Sequence, residues 1–244
     1  GKLETDVSAL PDVKVYFKGN KFTRAPGTQW HLDLPTKDTL TISKFYRYCK
    51  LTYMDSNKDF QEMRNKVGSD FWLMADCWMS LDVSYAVELA NAMQDVDLYW
   101  IEEALHPGDM DGHKLLKERA PWMRWTTGEH EYTRYGFRKL IETRSIDILQ
   151  PDVTWCGGLT ELLRISSMAA AYDIPVVPHG SGAYSYHFVI SQPHCPFCEY
   201  LNTSPDCLSF PSVFGNLFEN EILPVNGKIK LDDEPGFGMN LNRN

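Results

Sequence analysis

From about residue 70 onward the chain alternates between short apolar runs and stretches with helical spacing. Phe71-Trp72-Leu73-Met74-Ala75 ends in Asp76, and residues 82–95 then carry Val83, Ala86, Val87, Ala90 and Met93 on one helical face. Leu98-Tyr99-Trp100-Ile101 ends in Glu102-Glu103, followed by a short helical pattern around Leu115 and Leu116. The run from Trp122 to Thr127 leads to Gly128-Glu129 and a helical stretch over 135–143. Ile146 to Pro151 ends in Asp152, ahead of a helix from Thr160 to Tyr172 with Leu163, Ile165 and Met168 on its apolar side. Pro175-Val176-Val177-Pro178 ends in His179, and Phe197-Cys198-Glu199-Tyr200-Leu201 closes the series. Short apolar runs separated by helices predict a parallel sheet.

Upstream the pattern is weaker. Val13 to Phe17 predicts a first strand, Trp30 to Pro35 a second, and residues 58–67 a helix feeding the run at 71, while the rest of 20–57 yields no assignment. Near the other end, residues 223–230 predict a hairpin closed by an Asn226-Gly227 turn.

Each downstream run ends in an ionisable residue. The steps from Asp76 to Glu102, Glu129, Asp152, His179 and Glu199 are 26, 27, 23, 27 and 20 residues. One strand-helix unit of an α/β barrel occupies roughly 20–30 residues, and the carboxyl ends of its strands share one face. The six groups are therefore expected to converge at one end of a barrel.

Asp76, Glu102 and Glu129, on successive strand ends, offer an all-oxygen ligand set that suits magnesium. Zinc or iron would be expected to recruit histidine, and the histidine among these three ends is His130, beside Glu129. Of the adjacent pair Glu102 and Glu103 only one can face the metal; Glu102 is the predicted ligand and Glu103 its supporting partner. Asp152 and His179 read as an acid–base pair, with the carboxylate fixing one imidazole nitrogen and leaving the other to move a proton. Glu199, if protonated, could donate a hydrogen bond to a developing anion; a buried ion pair is its bland alternative. Gly180 and Gly182 would let backbone come close to a ligand.

Composition narrows the partners. A net charge of −9 argues against a broad nucleic-acid surface and against anionic membranes. No apolar stretch reaches the length of about eighteen residues that a spanning helix needs. The chain opens on Gly1 without a signal-peptide pattern, and its six cysteines read as reduced thiols, so a cytoplasmic setting is expected. The single CxxC, Cys195 to Cys198 beside His194, is read as ordinary thiols near a strand in preference to a zinc or redox site.

The motifs now in hand resemble the mandelate-racemase branch of the enolase superfamily, and within it the L-rhamnonate dehydratases. The resemblance runs from Asp70 to the end, through Trp72 to Ser80, Trp100-Ile101-Glu102-Glu103, Thr127-Gly128-Glu129-His130, Gln150-Pro151-Asp152-Val153, Trp155-Cys156-Gly157-Gly158, Val177 to Ser181 and Pro235-Gly236-Phe237-Gly238. It implies a (β/α)7β barrel of TIM type, truncated at its N-terminus, over residues 1–221, with 222–244 a hairpin and tail that would pack on a missing capping domain. It also implies that Asp76, Glu102 and Glu129 hold Mg2+, that Asp152 and His179 form the family's dyad, and that Glu199 is its carboxylate on the last strand. The implied reaction is loss of water from a sugar acid to give a 2-keto-3-deoxy acid, in a family whose full-length members form homo-oligomers.

Two departures stand beside it. No capping domain fits before residue 13, and residues 20–57 lack the lysine-and-proline pattern the subgroup carries around strand two. A different acid-sugar dehydratase, a racemase with a second base from strand two, and an inactive fragment lacking its cap therefore remain open. A zinc hydrolase on a barrel would need early histidines that the chain does not show.

Overall fold

A computed structural model describes residues 5–6, 14–15, 31–33, 39–43, 53–180, 182–202 and 210–244, with side chains from Phe60 onward. Two short strands, β1 (Thr5–Asp6) and β2 (Lys14–Val15), pair antiparallel as a separate sheet. The main sheet has six strands in sequential order: β3 (His31–Asp33), β4 (Thr39–Ser43), β5 (Trp72–Asp76), β6 (Trp100–Glu102), β7 (Trp125–Thr127) and β8 (Ile148–Leu149). From β4 to β8 every pairing is parallel, and a parallel bridge from Leu149 to Val176 carries the arc one step further.

Seven of the sequence-based strand expectations meet backbone pairing here, five of them in the parallel series; the expected first strand, Val13 to Phe17, pairs through Lys14–Val15 in the separate antiparallel sheet, and two further differences follow. The segment around His31 is a strand, but it runs antiparallel to β4 and is not a member of the parallel series. The parallel neighbour of β5 is instead Thr39–Ser43, inside the stretch that gave no assignment. Its Thr-Leu-Thr-Ile-Ser pattern is β-branched and strictly alternating, a strand signal too short to stand out without the residues around it. The apolar run at 197–201 forms no strand pairing, although its Tyr200 is buried.

Between strands run α1 (Tyr53–Val67), α2 (Val83–Ala92), α3 (Met110–Arg119), α4 (Thr133–Glu142), α5 (Leu159–Ala170) and α6 (Ala183–Ser191). Aspartates start two of them: the Asp82 carboxylate accepts from Tyr85 N at 2.8 Å, and that of Asp109 from Gly112 N at 2.9 Å. At the opposite ends the chain turns back to the sheet through a left-handed residue: Gly68 after α1, Asp97 after a single 3-10 turn that follows α2, Arg144 after α4 and Asp173 after α5.

Arg64, near the end of α1, is buried and donates to four backbone carbonyls. Its Nε reaches Val96 O at 2.7 Å, its Nη1 reaches Gly68 O at 2.7 Å and Phe71 O at 2.6 Å, and its Nη2 reaches Asp97 O at 2.9 Å. One side chain thus ties the exits of two helical segments to the start of β5.

Strands β5, β6 and β7 bury both faces after Trp72, as expected where helices cover a parallel sheet. The apolar core falls into a cluster under α1 to α3, including Phe60, Leu73, Met93, Ile101 and Trp125, and a second under α4 to α6, including Phe137, Leu149, Ile165, Val176 and Phe188. The expected hairpin is present: Val225 pairs with Lys228 across Asn226 and Gly227, both with positive φ. Beyond it Ile229, Leu231 and Phe237 pack against Ala183, Tyr186 and Tyr200.

Candidate active site

Parallel pairing puts the C-terminal ends of β5 to β8 on one side, and register brings the expected residues level. Asp76, the last residue of β5, pairs with Glu102, the last of β6, and Glu102 in turn with Thr126 of β7. Glu129 follows β7 by a tight turn at Gly128. A Cβ added at Gly128, where φ is +138°, would meet the Phe137 ring at 2.9 Å and Gln150 N at 3.1 Å, so the turn that presents Glu129 requires glycine.

These three carboxyl groups are buried, with relative exposures of 4% for Asp76, 2% for Glu102 and 8% for Glu129. Among the described residues no lysine or arginine pairs with any of them. Burial, and then the charge of Glu129, pushes the Asp76 carboxyl well above its ordinary value; burial and then Asp76 do the same to Glu102. Burial raises Glu129 too, against the opposing pull of His179. The fixed contacts are few: Trp78 N donates to Asp76 Oδ1 at 2.8 Å, Trp100 Nε1 to Glu102 Oε2 at 3.2 Å, and the Gln150 side chain to Glu102. Three buried carboxyl groups at neighbouring strand ends, with no lysine or arginine partner among the described residues and only the His179 and His130 imidazoles beside Glu129, fit a small, hard dication.

Glu103 behaves differently from its neighbour. It is fully buried at φ +46°, and its Oε1 accepts from Thr127 Oγ1 and from Gly128 N at 3.1 Å. Its Oε2 lies 3.1 Å from His130 Nδ1, which is also 3.3 Å from Glu129 Oε1. Among the described residues the ligand atoms gathered within 4.8 Å of one another are those of Glu103, Glu129 and His130. Because Glu103 is already engaged by three donors, we read that group as a hydrogen-bond network and not as a cation cage. Asp76 and Glu102, which repel each other and Glu129, stay outside this tighter group.

His179 sits between two carboxylates. Its Nδ1 is 2.8 Å from Asp152 Oδ2 and its Nε2 is 3.1 Å from Glu129 Oε2. Desolvation works against the imidazolium, but Glu199, Asp152 and Glu129 outweigh it and hold the His179 pKa well above its ordinary value. Asp152 is itself anchored through Oδ1, which accepts from Thr154 N and Thr154 Oγ1 at 2.6 Å each and from Trp155 N at 3.2 Å. Glu199 Oε2 accepts from Gly180 N at 2.6 Å, so in this arrangement its carboxyl acts as an acceptor.

All six residues singled out in the sequence therefore gather on one face, linked directly or by charge. Sequence reasoning did not assign roles to His130 or Gln150; the only available signal was their position beside Glu129 and Asp152. The four described cysteines, Cys77, Cys156, Cys195 and Cys198, are free thiols. Burial pushes Cys195 up to about 12 and Cys198 up to about 11, which keeps both protonated and supports reading this CxxC as ordinary thiols.

A parallel α/β sheet with an acidic cluster and a His–Asp pair at its strand ends defines a class of α/β proteins whose chemistry sits at the carboxyl face. Residues 44–244 match the family model described as enolase C-terminal domain-like, and the chain belongs to that family. An L-rhamnonate dehydratase of Saccharopolyspora erythraea is 53% identical over 183 residues, covering 75% of this chain and 47% of that protein. The crystal structure of L-rhamnonate dehydratase from Gibberella zeae superposes with a TM-score of 0.78 at 45% identity, covering 88% of this chain and 59% of that one. A rhamnonate dehydratase from the same organism complexed with Mg gives 0.77 at 46% identity, covering 88% and 57%. The chain thus spans about half the length of the curated relative it matches. No described helix is long and apolar enough to cross a membrane.

Proposed function

We propose that this chain carries the barrel of a magnesium-dependent acid-sugar dehydratase of the L-rhamnonate type, acting on a small-molecule sugar acid. Residues 1–221 are assigned to the barrel and 222–244 to a hairpin and tail beside it. The observation that carries the reading is His179, half-buried and held between Asp152 and Glu129 at the rim of the acidic cluster. Its support is the 53% identity to an L-rhamnonate dehydratase and the likeness to a magnesium-bound homologue.

A proton beside a carboxylate is very weakly acidic, because its removal adds a second negative charge to the carboxylate oxygens. Asp76, Glu102 and Glu129 would hold magnesium, which when bound would supply positive charge to neutralise those oxygens. His179 Nε2 takes the C2 proton, while Asp152 keeps the other ring nitrogen protonated and steadies the imidazolium. The same imidazolium then returns its proton to the departing C3 hydroxyl, so one water leaves and the enol product rearranges to the 2-keto acid. Glu199, anchored by Gly180 N, hydrogen-bonds the developing anion once it carries a proton. Burial of the carboxyl groups excludes bulk water and strengthens each of these interactions.

The test is loss of water from a panel of acid sugars including L-rhamnonate, with and without magnesium. Turnover is expected to require magnesium and to disappear in Glu129→Gln. His179→Asn is expected to lower turnover by about 10²–10⁴-fold while magnesium binding, followed by titration calorimetry, stays intact. A His179→Asn variant that keeps its activity rejects the assignment of the base. A folded chain that binds magnesium and dehydrates no acid rejects the dehydratase reading.

A further inference from the structure

Glu103 is the buried ionisable group on this face that the mechanism leaves unused. Two features argue that it is more than filler. A non-glycine residue in the left-handed region is uncommon, and here it is a fully buried glutamate at φ +46° immediately after β6. Its carboxylate is also fully engaged, by Thr127 Oγ1, by Gly128 N at 3.1 Å and by His130 Nδ1 at 3.1 Å. All three donors belong to the end of β7 and the turn that presents Glu129.

His130 is constrained from its other sides as well. Its ring lies edge-on between Trp78, with centroids 6.4 Å apart, and Trp155, at 5.9 Å. A carboxylate can only accept, so the contacts of Nδ1 with Glu103 Oε2 and with Glu129 Oε1 at 3.3 Å keep a hydrogen on Nδ1 in either charge state of the ring. Nε2 has no hydrogen-bond partner among the described residues, and the side chain is one-quarter exposed. His130 and His179 flank the same carboxylate, since Glu129 Oε1 faces the first and Oε2 the second. A molecule that reaches His179 is therefore within reach of His130.

We infer that Glu103 is a positioning residue acting through His130: it fixes the ring so that Nε2 meets a hydroxyl of the bound polyhydroxy acid, beyond the carbons that react. This rests on the dehydratase reading for the identity of the ligand, but not for the tautomer that Glu103 imposes. The fixed ring would sort substrates by the placement of that hydroxyl, so its loss falls mainly on KM.

The experiment uses the full chain with 15N-labelled histidine. Long-range 1H–15N spectra are expected to show the hydrogen of neutral His130 on Nδ1 in the parent chain and to show the Nε2–H form gaining population in Glu103→Gln. In assays, Glu103→Gln is expected to lower kcat/KM by about 10–100-fold, chiefly through KM, with little change in magnesium affinity. His130→Asn should show the same loss, and adding Glu103→Gln to it should cost nothing further. Should Glu103→Gln fail to fold, Glu103→Asp, which keeps the charge but shortens the reach, is expected to give a mixture of the two tautomers. An unchanged tautomer in a folded Glu103 variant overturns the proposal, as do additive losses in the double variant. A chain that dehydrates no acid yet shows the tautomer change removes the dehydratase reading and leaves the positioning role standing.

Discussion

Asp76 and Glu102 carry a cost that their ordinary residue types conceal. Each is buried among other carboxylates, and each has its pKa raised, first by burial and then by its neighbours. In the folded chain Asp76 therefore holds its proton to higher pH than in the unfolded one, where it titrates near about 3.9. The folded state binds more protons across the interval above that value, so this group's contribution to stability falls as pH rises through its raised folded pKa. Asp76→Asn removes the contribution. With magnesium chelated by EDTA, Asp76→Asn is expected to melt higher than the parent chain, with the gap widening as pH rises from about 4. Thermal melts at a series of pH values check this, and a gap that narrows with pH contradicts it. On the magnesium site proposed above, the order should reverse with magnesium in excess, because only the parent chain retains all three carboxylates.

At this scale the sequence was most informative. A carboxylate or imidazole at the end of each apolar run was legible because strand ends in a parallel fold share a face. The network around Glu103 was not. Its left-handed backbone and its bonds to Thr127, Gly128 and His130 depend on how β6 and β7 sit together, which no local spacing encodes.

Among the elements, α1 shows how a helix is tied to its strand. Arg64 satisfies carbonyls at residues 68, 71, 96 and 97 from a position almost shielded from water. Arg64→Met keeps the stem's packing but leaves these acceptors without their charged donor. We expect a loss of about 3 kcal/mol, since hydrogen bonds to charged groups contribute roughly 1.5–3 kcal/mol and stranded acceptors cost about 1–3 kcal/mol each. Urea unfolding monitored by tryptophan fluorescence measures it; a change below about 1 kcal/mol would mean that water replaces the guanidinium without difficulty. Helix periodicity located α1 to α5, because each buries one apolar stripe against the sheet. α6 escaped notice: Ala183 to Ser191 is apolar or aromatic almost all round, so it lacks the stripe, and its buried Tyr186 and Phe188 receive partners from distant segments. β4 escaped because five alternating residues carry little signal alone.

For the whole molecule, the fold divides its labour by end. The acidic cluster, the imidazoles and Glu103 lie where strands finish; Gly68, Asp97, Arg144 and Asp173 lie where helices hand the chain back to the strands' beginnings. Only the first of these four left-handed positions is a glycine. An L-residue there sacrifices about 1 kcal/mol or more in steric strain, of which glycine's extra disorder in the unfolded chain cancels about half. Asp173→Gly is therefore expected to stabilise by about 0.5 kcal/mol, read as a higher denaturation midpoint, with kcat and KM unmoved; a lower midpoint would show that Asp173 holds its turn by contacts of its own. The separation means that sturdiness and the proposed chemistry can drift independently: the returning turns can absorb substitutions, good or bad, without touching the residues at the far rim.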